Sequence, residues 1–156
     1  PAVALYQKIG FHIVRRLYGY TANPFAGETA DLPPVDLPEI GKQVALADTI
    51  DLPWQVSGAA FMRWGSPMRG VRLDKAYAAF NTANGTLALR GLFVDPADRG
   101  QRHGTRLIRA LAAAYPDHKW IVPQLSPEEF DGFFTRLGFE RLPLNQVQMA
   151  CALGTP

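Results

Sequence analysis

The stretch Leu92-Phe93-Val94-Asp95-Pro96-Ala97-Asp98-Arg99-Gly100-Gln101-Arg102-His103-Gly104-Thr105 decides how the chain is read. It opens on an apolar run, turns polar in the middle, and leads into a periodic segment. Leu107, Ile108, Leu111 and Tyr115 share one face of a helix over about 104–115, with Arg106 and Arg109 outside that stripe. A strand that passes through a glycine-bearing turn into a helix makes an anion site. The first N–H groups of the helix have no acceptor within it, and the helix dipole adds positive potential. Arg99 and Arg102 place full charges beside it, and Gly100 and Gly104 allow close approach to the backbone. These residues point to a phosphate or pyrophosphate group, while an ordinary turn with surface arginines stays equally open. The spacing is neither Gly-x-x-x-x-Gly-Lys-Ser/Thr nor Gly-x-Gly-x-x-Gly, so two familiar nucleotide loops are excluded.

The neighbouring segments extend the reading. Lys75 to Phe80 and Thr86 to Val94 read as strands, the second with Leu87, Leu89 and Phe93 on one face. Asn81 to Gly85 between them is a turn whose Asn-Gly pair tolerates positive φ, which predicts a hairpin. After the helix, Pro116-Asp117 is a stop and Trp120-Ile121-Val122 a short strand ended by Pro123. Ser126 then reads as an N-cap, with Pro127 at the first helical position and Glu129 completing a capping box. Phe130, Phe133, Phe134 and Leu137 recur at helical spacing, and Gly138 supplies a left-handed stop. Gln146 to Leu153 is a final strand on which Cys151 reads as a small inward-facing residue. Strand, helix, strand implies a parallel pair joined by a right-handed crossover. The fold class is therefore α/β (or α+β) with a mixed sheet.

The first half is less regular. Ala2 to Ile9 reads as a short helix and Phe11 to Tyr18 as a strand. Residues 21–38 hold Pro24, Gly27, Pro33, Pro34 and Pro38 and read as a long loop, either a substrate lid or plain surface. Glu39 to Ala47 is a helix, 52–64 is open between helix and strand, and Gly65 to Gly70 is a turn. Trp54 and Trp64 are read as core residues.

Composition bounds the function. The chain has 156 residues, of which 47% are hydrophobic, 11% aromatic and 19% charged, which suits one domain with its own core. A disordered chain would carry fewer aromatics. Cys151 is the only cysteine, which excludes a disulfide scaffold. No apolar run approaches the ~20 residues that span a bilayer. Lys8, Arg15 and Arg16 interrupt the N-terminal apolar stretch, so no signal-peptide pattern is present and a cytoplasmic protein is expected. The start at Pro1 reads as a removed initiator Met or a trimmed chain. Residues 1–60 hold four Lys/Arg against six Asp/Glu, and 61–156 hold twelve against eight. The positive half is thus the half with the anion turn. Twelve of the sixteen basic residues are Arg, which suits planar phosphate recognition.

The turn resembles the acyl-CoA-binding motif of the GCN5-related (GNAT) N-acetyltransferases. In that family a strand ending in apolar-aromatic-Val-Asp-Pro leads to Arg/Gln-x-x-Gly-x-Gly/Ala and a helix, and Leu92 to Thr105 follows this pattern. A second family motif, Phe-Tyr-x-Lys-Leu-Gly-Phe, is matched by Phe133-Phe134-Thr135-Arg136-Leu137-Gly138-Phe139. The two lie in the family's order and cover about half the chain. The resemblance implies a mixed, mostly antiparallel sheet flanked by helices, with two parallel strands splayed around the cofactor. It implies a single domain over 1–156 with its acyl-CoA-binding core at 75–153. It implies acetyl-CoA as cofactor and acyl transfer to an amine. The cofactor-binding residues it implies are Leu92, Phe93, Val94, Arg99, Gly100, Gln101, Arg102, His103, Gly104, Thr105, Phe133, Phe134 and Arg136, with no metal. The acceptor is an amine on a small molecule, a protein or an aminoacyl-RNA; no membrane partner is implied, and a homodimer stays open.

Three positions depart from the pattern. Arg102 stands at the first turn glycine. Phe134 replaces a Tyr whose hydroxyl usually protonates the departing thiolate. Ala88 and Arg90 stand where the strand often carries a Glu. No catalytic residue is assigned: Glu128, Glu129, Asp131 and His103 are candidates by position, with Glu129 read first as a cap and His103 as turn surface. These departures keep a non-catalytic CoA-binding or regulatory domain as the alternative. Leu5-Tyr6-Gln7-Lys8-Ile9-Gly10-Phe11 also fits the second motif. Residues 1–20 are therefore either the remnant of an upstream copy or a chance amphipathic helix and strand.

Overall fold

Asn84 and Gly85, both at positive φ, close a two-residue turn, and Ala83 pairs directly with Thr86 across it. Around this hairpin the computed structural model, which describes residues 2–47 and 52–152, builds one mixed sheet with helices on both faces. The elements are α1 (Ala2–Lys8), β1 (His12–Ala22), α2 (Leu37–Leu46), α3 (Gly58–Phe61), β2 (Arg69–Leu73) and β3 (Ala76–Ala83). They continue with β4 (Thr86–Val94), α4 (His103–Ala114), β5 (Lys119–Pro127), α5 (Asp131–Arg136) and β6 (Glu140–Ala150). The sheet order is β2-β3-β4-β5-β1-β6. Every neighbouring pair is antiparallel except β4 and β5, which are parallel and joined through α4. The expected α/β class and mixed, mostly antiparallel sheet are both present. The boundaries drawn at residues 1, 153 and 156 lie outside the described residues.

The parallel pair is short. Thr86, Leu87 and Ala88 pair with Lys119, Trp120 and Ile121, and the two strands then separate. From there β5 keeps only β1 as a partner, and the second half of β4 faces open space on that side. This V-shaped opening locates the site.

Each face of the sheet has its own apolar cluster. Leu107, Ile108 and Leu111 of α4 pack with Leu87, Leu89, Trp120, Tyr20 and Phe134 on one face. Ile40 and Val44 of α2 and Phe61 of α3 pack with Ala79 and Phe93 on the other. Gly41 and Gly58 let α2 and α3 touch backbone to backbone, since a Cβ at either would collide with the other's carbonyl. Among the described residues no helix is long and apolar enough to cross a membrane.

Several elements differ from the sequence reading. Strand β5 does not stop at Pro123. The proline falls in the gap between the residues that pair with β1, Val122 and Ser126, where no ladder N–H is required. Ser126 and Pro127 consequently pair with Tyr18 and Leu17, and the expected capping box does not form. Segment 54–61 folds as a 3-10 turn at 54–56 and, after the extended N-cap Ser57, α3. Strand β2 occupies part of the expected 65–70 turn. Strand β6 starts at Glu140 and ends at Ala150, leaving Cys151 half-buried beyond it. Trp54 is 78% exposed, whereas Trp64 packs on Phe61 with ring centroids 4.5 Å apart. The loop after β1 is tied down. Gly27 lies against the α4 backbone, the Glu28 N–H donates to the Arg109 carbonyl at 3.1 Å, and Phe25 packs on Trp120.

Candidate functional site

A cavity of about 650 Å³ runs through the opening between β4 and β5. Such a volume suits a cofactor-sized ligand. One end is walled by the first turn of α4 and the other by Val44, Leu52, Val56 and Phe61 on the opposite side of the sheet. Twelve of the thirteen cofactor-binding residues expected from the sequence line it; Gln101 does not and is exposed.

The α4 end is built for negative charge. The first backbone bond back along the helix is donated by the Arg106 N–H to the Arg102 carbonyl. The N–H groups of His103, Gly104 and Thr105 are therefore the orphan donors of an α-helix start. Arg102 precedes them at φ 65°, in the left-handed region. The residue thus takes the conformation that the family pattern gives to glycine, at a cost of about 1–2 kcal/mol. Gly100, at φ 81°, makes the preceding bend, and a Cβ there would meet nothing. Arg99 is fixed from two sides: its Nε donates to the Val94 carbonyl at 3.2 Å, and its guanidinium lies 5.4 Å from the Phe130 ring centre. Burial lowers its pKa, and it remains a cation. On the outer side Arg106 bonds Asp74 and Arg109 bonds Glu28. His103 points its Nδ1 to within 3.7 Å of the same Asp74.

The middle is apolar. Phe133 and Phe134 meet edge to face at 5.1 Å, and Phe134 stacks on Tyr20 at 4.6 Å. Phe133 packs over the first turn of α4, where a Cβ at Gly104 would sit in van der Waals contact with its ring at 3.4 Å. The Tyr20 hydroxyl donates to Asp131 at 3.0 Å, and Arg141 bonds the same carboxylate. Burial, then the Asp131 contact, pushes the Tyr20 hydroxyl above its ordinary pKa. The Arg141 hydrogen bond, aided by Tyr20, pulls Asp131 below its own. This network anchors α5 to β1 and β6 and so holds Phe134 in the cavity wall.

The candidate bases scatter. Glu129 pairs with Arg15 at 3.0 Å, Glu128 accepts from the Arg16 N–H at 3.0 Å, and Asp131 belongs to the α5 anchor. None of the three lines the cavity; His103 does, at the α4 end. Among the lining residues that the sequence reading did not assign are Arg90, Phe61, Ser126 and Phe130. Ser126 was hidden by its apparent role as a helix cap. Arg90 was noted only as the absence of a Glu.

No protein-family model matches the sequence, and no curated protein matches it. Solved structures do. The chain aligns with a GNAT-family acetyltransferase from Novosphingobium aromaticivorans at a TM-score of 0.56 and 21% identity, covering 92% of this chain and 69% of that one. It aligns with a GCN5-related N-acetyltransferase from Kribbella flavida at 0.57 and 19%, covering 97% and 64%. One from Sphaerobacter thermophilus gives 0.58 and 12%, covering 95% and 55%. The chain therefore has the GNAT fold and spans only part of the length of these structures.

Proposed function

We propose that this chain binds acetyl-CoA and transfers its acyl group to an amine. The observation that carries the reading is the cavity through the β4–β5 opening, with the orphan N–H groups of α4 at one end. Its residues fit the group. The His103–Thr105 amides with Arg99 and Arg102 suit a pyrophosphate. The unpaired side of β4 from Leu92 to Val94 offers backbone partners to an amide-bearing arm, and Phe133 and Phe134 give an apolar seat for the thioester. Acetyl-CoA would supply the activated acyl carbon. In the transfer a carbon–nitrogen bond forms, the carbon–sulfur bond breaks, one proton leaves the amine and one is taken up by the thiolate.

Phe134 supplies no proton to that thiolate. With a thiol pKa of ~8.5, the leaving group is stable enough to depart as a thiolate and take its proton from solvent. The same scarcity of acid–base groups favours a second reading, a CoA-binding domain without turnover.

Melting temperature and thiol release in the presence of acetyl-CoA and an amine panel test both. A thermal shift with thiol release supports transfer, and a shift without release across the panel supports the non-catalytic reading. The Gly104→Glu variant, which sets a carboxylate among the orphan amides and against Phe133, is expected to abolish the shift. An unchanged shift in that variant would place the phosphates elsewhere.

A further inference from the structure

Leu87 and Leu89 of β4 pack in the cluster beneath α4. A regular strand would keep odd-numbered residues on that face. Beyond Leu89 the parity reverses: Leu92 and Val94 pack against the α4 cluster, while Phe93 joins the α2–α3 cluster. The reversal coincides with an irregularity in the β3–β4 ladder, where Ala79 pairs with Gly91 and the next residue, Phe80, pairs with Leu89. Arg90 is the residue skipped. A bulge of this kind puts two consecutive residues on one side. Arg90 and Gly91 therefore both face α2 and α3. The geometry at Gly91 agrees, because a Cβ there would strike the Phe61 ring.

Alternation thus places the Arg90 guanidinium at the cavity end farthest from the orphan amides, and the bulge turns Gly91 to the same side, where it makes room for Phe61. The described residues of α2, the 52–56 segment and α3 that line this end, Val44, Leu52, Val56 and Phe61, are all apolar. Arg90 is exposed and belongs to no ion pair among the described residues. The acidic residues that line the cavity, Glu28 and Asp98, lie on the segments packed at the α4 end, and Glu28 is already bonded to Arg109. A positive group framed by apolar surface, without an acidic partner among the described residues, selects an anion.

From this arrangement we infer that the acceptor is an amine that carries its own carboxylate, read by Arg90, on an apolar body lying against Phe61. The inference rests on the acyl-transfer reading above and names its substrate class. It also accounts for the lack of a base at this end among the described residues. An α-amine with a pKa near 8 is roughly a quarter neutral at pH 7.5, against roughly a thousandth for a lysine side chain. A nearby guanidinium lowers the amine's pKa further. A peptide-like α-amine with a carboxylate needs no Glu on β4, where this chain has Arg90.

The test pairs phenylalanylglycine with its C-terminal amide. The two differ in the distal charge while the amine stays nearly the same, which would not hold for a free amino acid and its amide. Calorimetry on CoA-saturated protein is expected to show the acid binding about 10-fold more tightly than the amide. Arg90→Gln is expected to bring the acid down to the level of the amide, and Arg90→Lys to keep part of the preference. Neither change should alter the affinity for acetyl-CoA. Equal affinity for acid and amide, or a preference that survives Arg90→Gln, overturns the inference. The two readings fail separately. Thiol release that treats acid and amide alike sinks only the carboxylate, while absence of an acetyl-CoA thermal shift sinks the acyl-transfer reading beneath it. Tighter binding of the acid without thiol release supports the role of Arg90 and overturns transfer.

Discussion

Residues 5–11 and 133–139 are the same local structure in two different surroundings. At a constant offset of 128, Tyr6 corresponds to Phe134, Gly10 to Gly138 and Phe11 to Phe139. Both glycines take positive φ, 94° and 84°. The Phe11 N–H donates to the Tyr6 carbonyl and the Phe139 N–H to the Phe134 carbonyl, each at 3.1 Å. The ring pairs match as well, with Tyr6–Phe11 at 5.5 Å and 67° and Phe134–Phe139 at 5.6 Å and 68°. The strands that follow, β1 and β6, lie side by side and antiparallel. Yet Phe134 is 5% exposed and walls the cavity, while Tyr6 is 47% exposed and α1 buries nothing. Identical short-range geometry thus accompanies a functional wall in one place and bare surface in the other. The helix stop is dictated locally, whereas the site is made by what packs over it.

The widest separation between the two segments should appear in their aromatic residues. Phe134→Ala removes a buried ring stacked on Tyr20 and should cost about 3–5 kcal/mol. Tyr6→Ala, at the equivalent position on the exposed segment, should stay within about 1 kcal/mol. Urea unfolding of both variants checks the pair, and similar losses would mean that α1 is covered in solution.

The glycines should behave alike. Gly138→Ala meets no neighbour and Gly10→Ala meets only the Cys151 sulfur, at 3.6 Å, so each loses mainly the left-handed conformation. Each should cost about 1–2 kcal/mol by the same denaturation measurement. A large difference between them would break the claim that the stop is local.

These comparisons also mark what could be read in the sequence. The hairpin turn, the amphipathic α4 and the Gly138 stop are encoded within a few residues, and each appears where its own chemistry puts it. The sequence places the end of β5 at Pro123 because the reason a proline is tolerated there, a gap in the pairing with β1, lies more than a hundred residues away in the chain. Ser126, Pro127 and Glu129 spell a helix start, but β1 claims the first two as strand partners and Arg15 claims the third. The cavity wall at the α4 end was legible because one continuous stretch builds it. The opposite end was not, since it needs α2, α3 and a bulge in β4 to converge. Gly91 faces that end beside Arg90, and so makes room for Phe61, only because the ladder slips by one residue.

A pH titration separates the segments more finely. Asp131 anchors α5, and the equivalent position in α1 is Val3, which has no charge to offer. The Asp131 pKa is depressed in the folded protein, so its contribution is present above the ordinary carboxylate range and is lost as pH falls through the depressed value. The Tyr20 pKa is raised, so its contribution is present below about pH 10 and fades as pH rises beyond it. Asp131→Asn should flatten the acid limb of the melting temperature between about pH 5 and 2, and Tyr20→Phe the alkaline limb. Limbs unchanged in both variants would remove this anchor from the account of how Phe134 is held.

The smallest effect is expected on the outer face of α1. Leu5 and Ile9 are 63% and 62% exposed, so replacing both with Lys removes little buried area. The change should alter stability by less than about 0.5 kcal/mol. Their counterparts, Phe133 and Leu137, line the cavity and pack against the main core. The same double replacement there should abolish the acetyl-CoA thermal shift. Four lysine substitutions at positions with nearly superimposable backbones would then divide cleanly by surroundings. A shift lost on substituting Leu5 and Ile9 would mean that α1, too, reaches the ligand, and that the resemblance between the segments extends beyond backbone geometry.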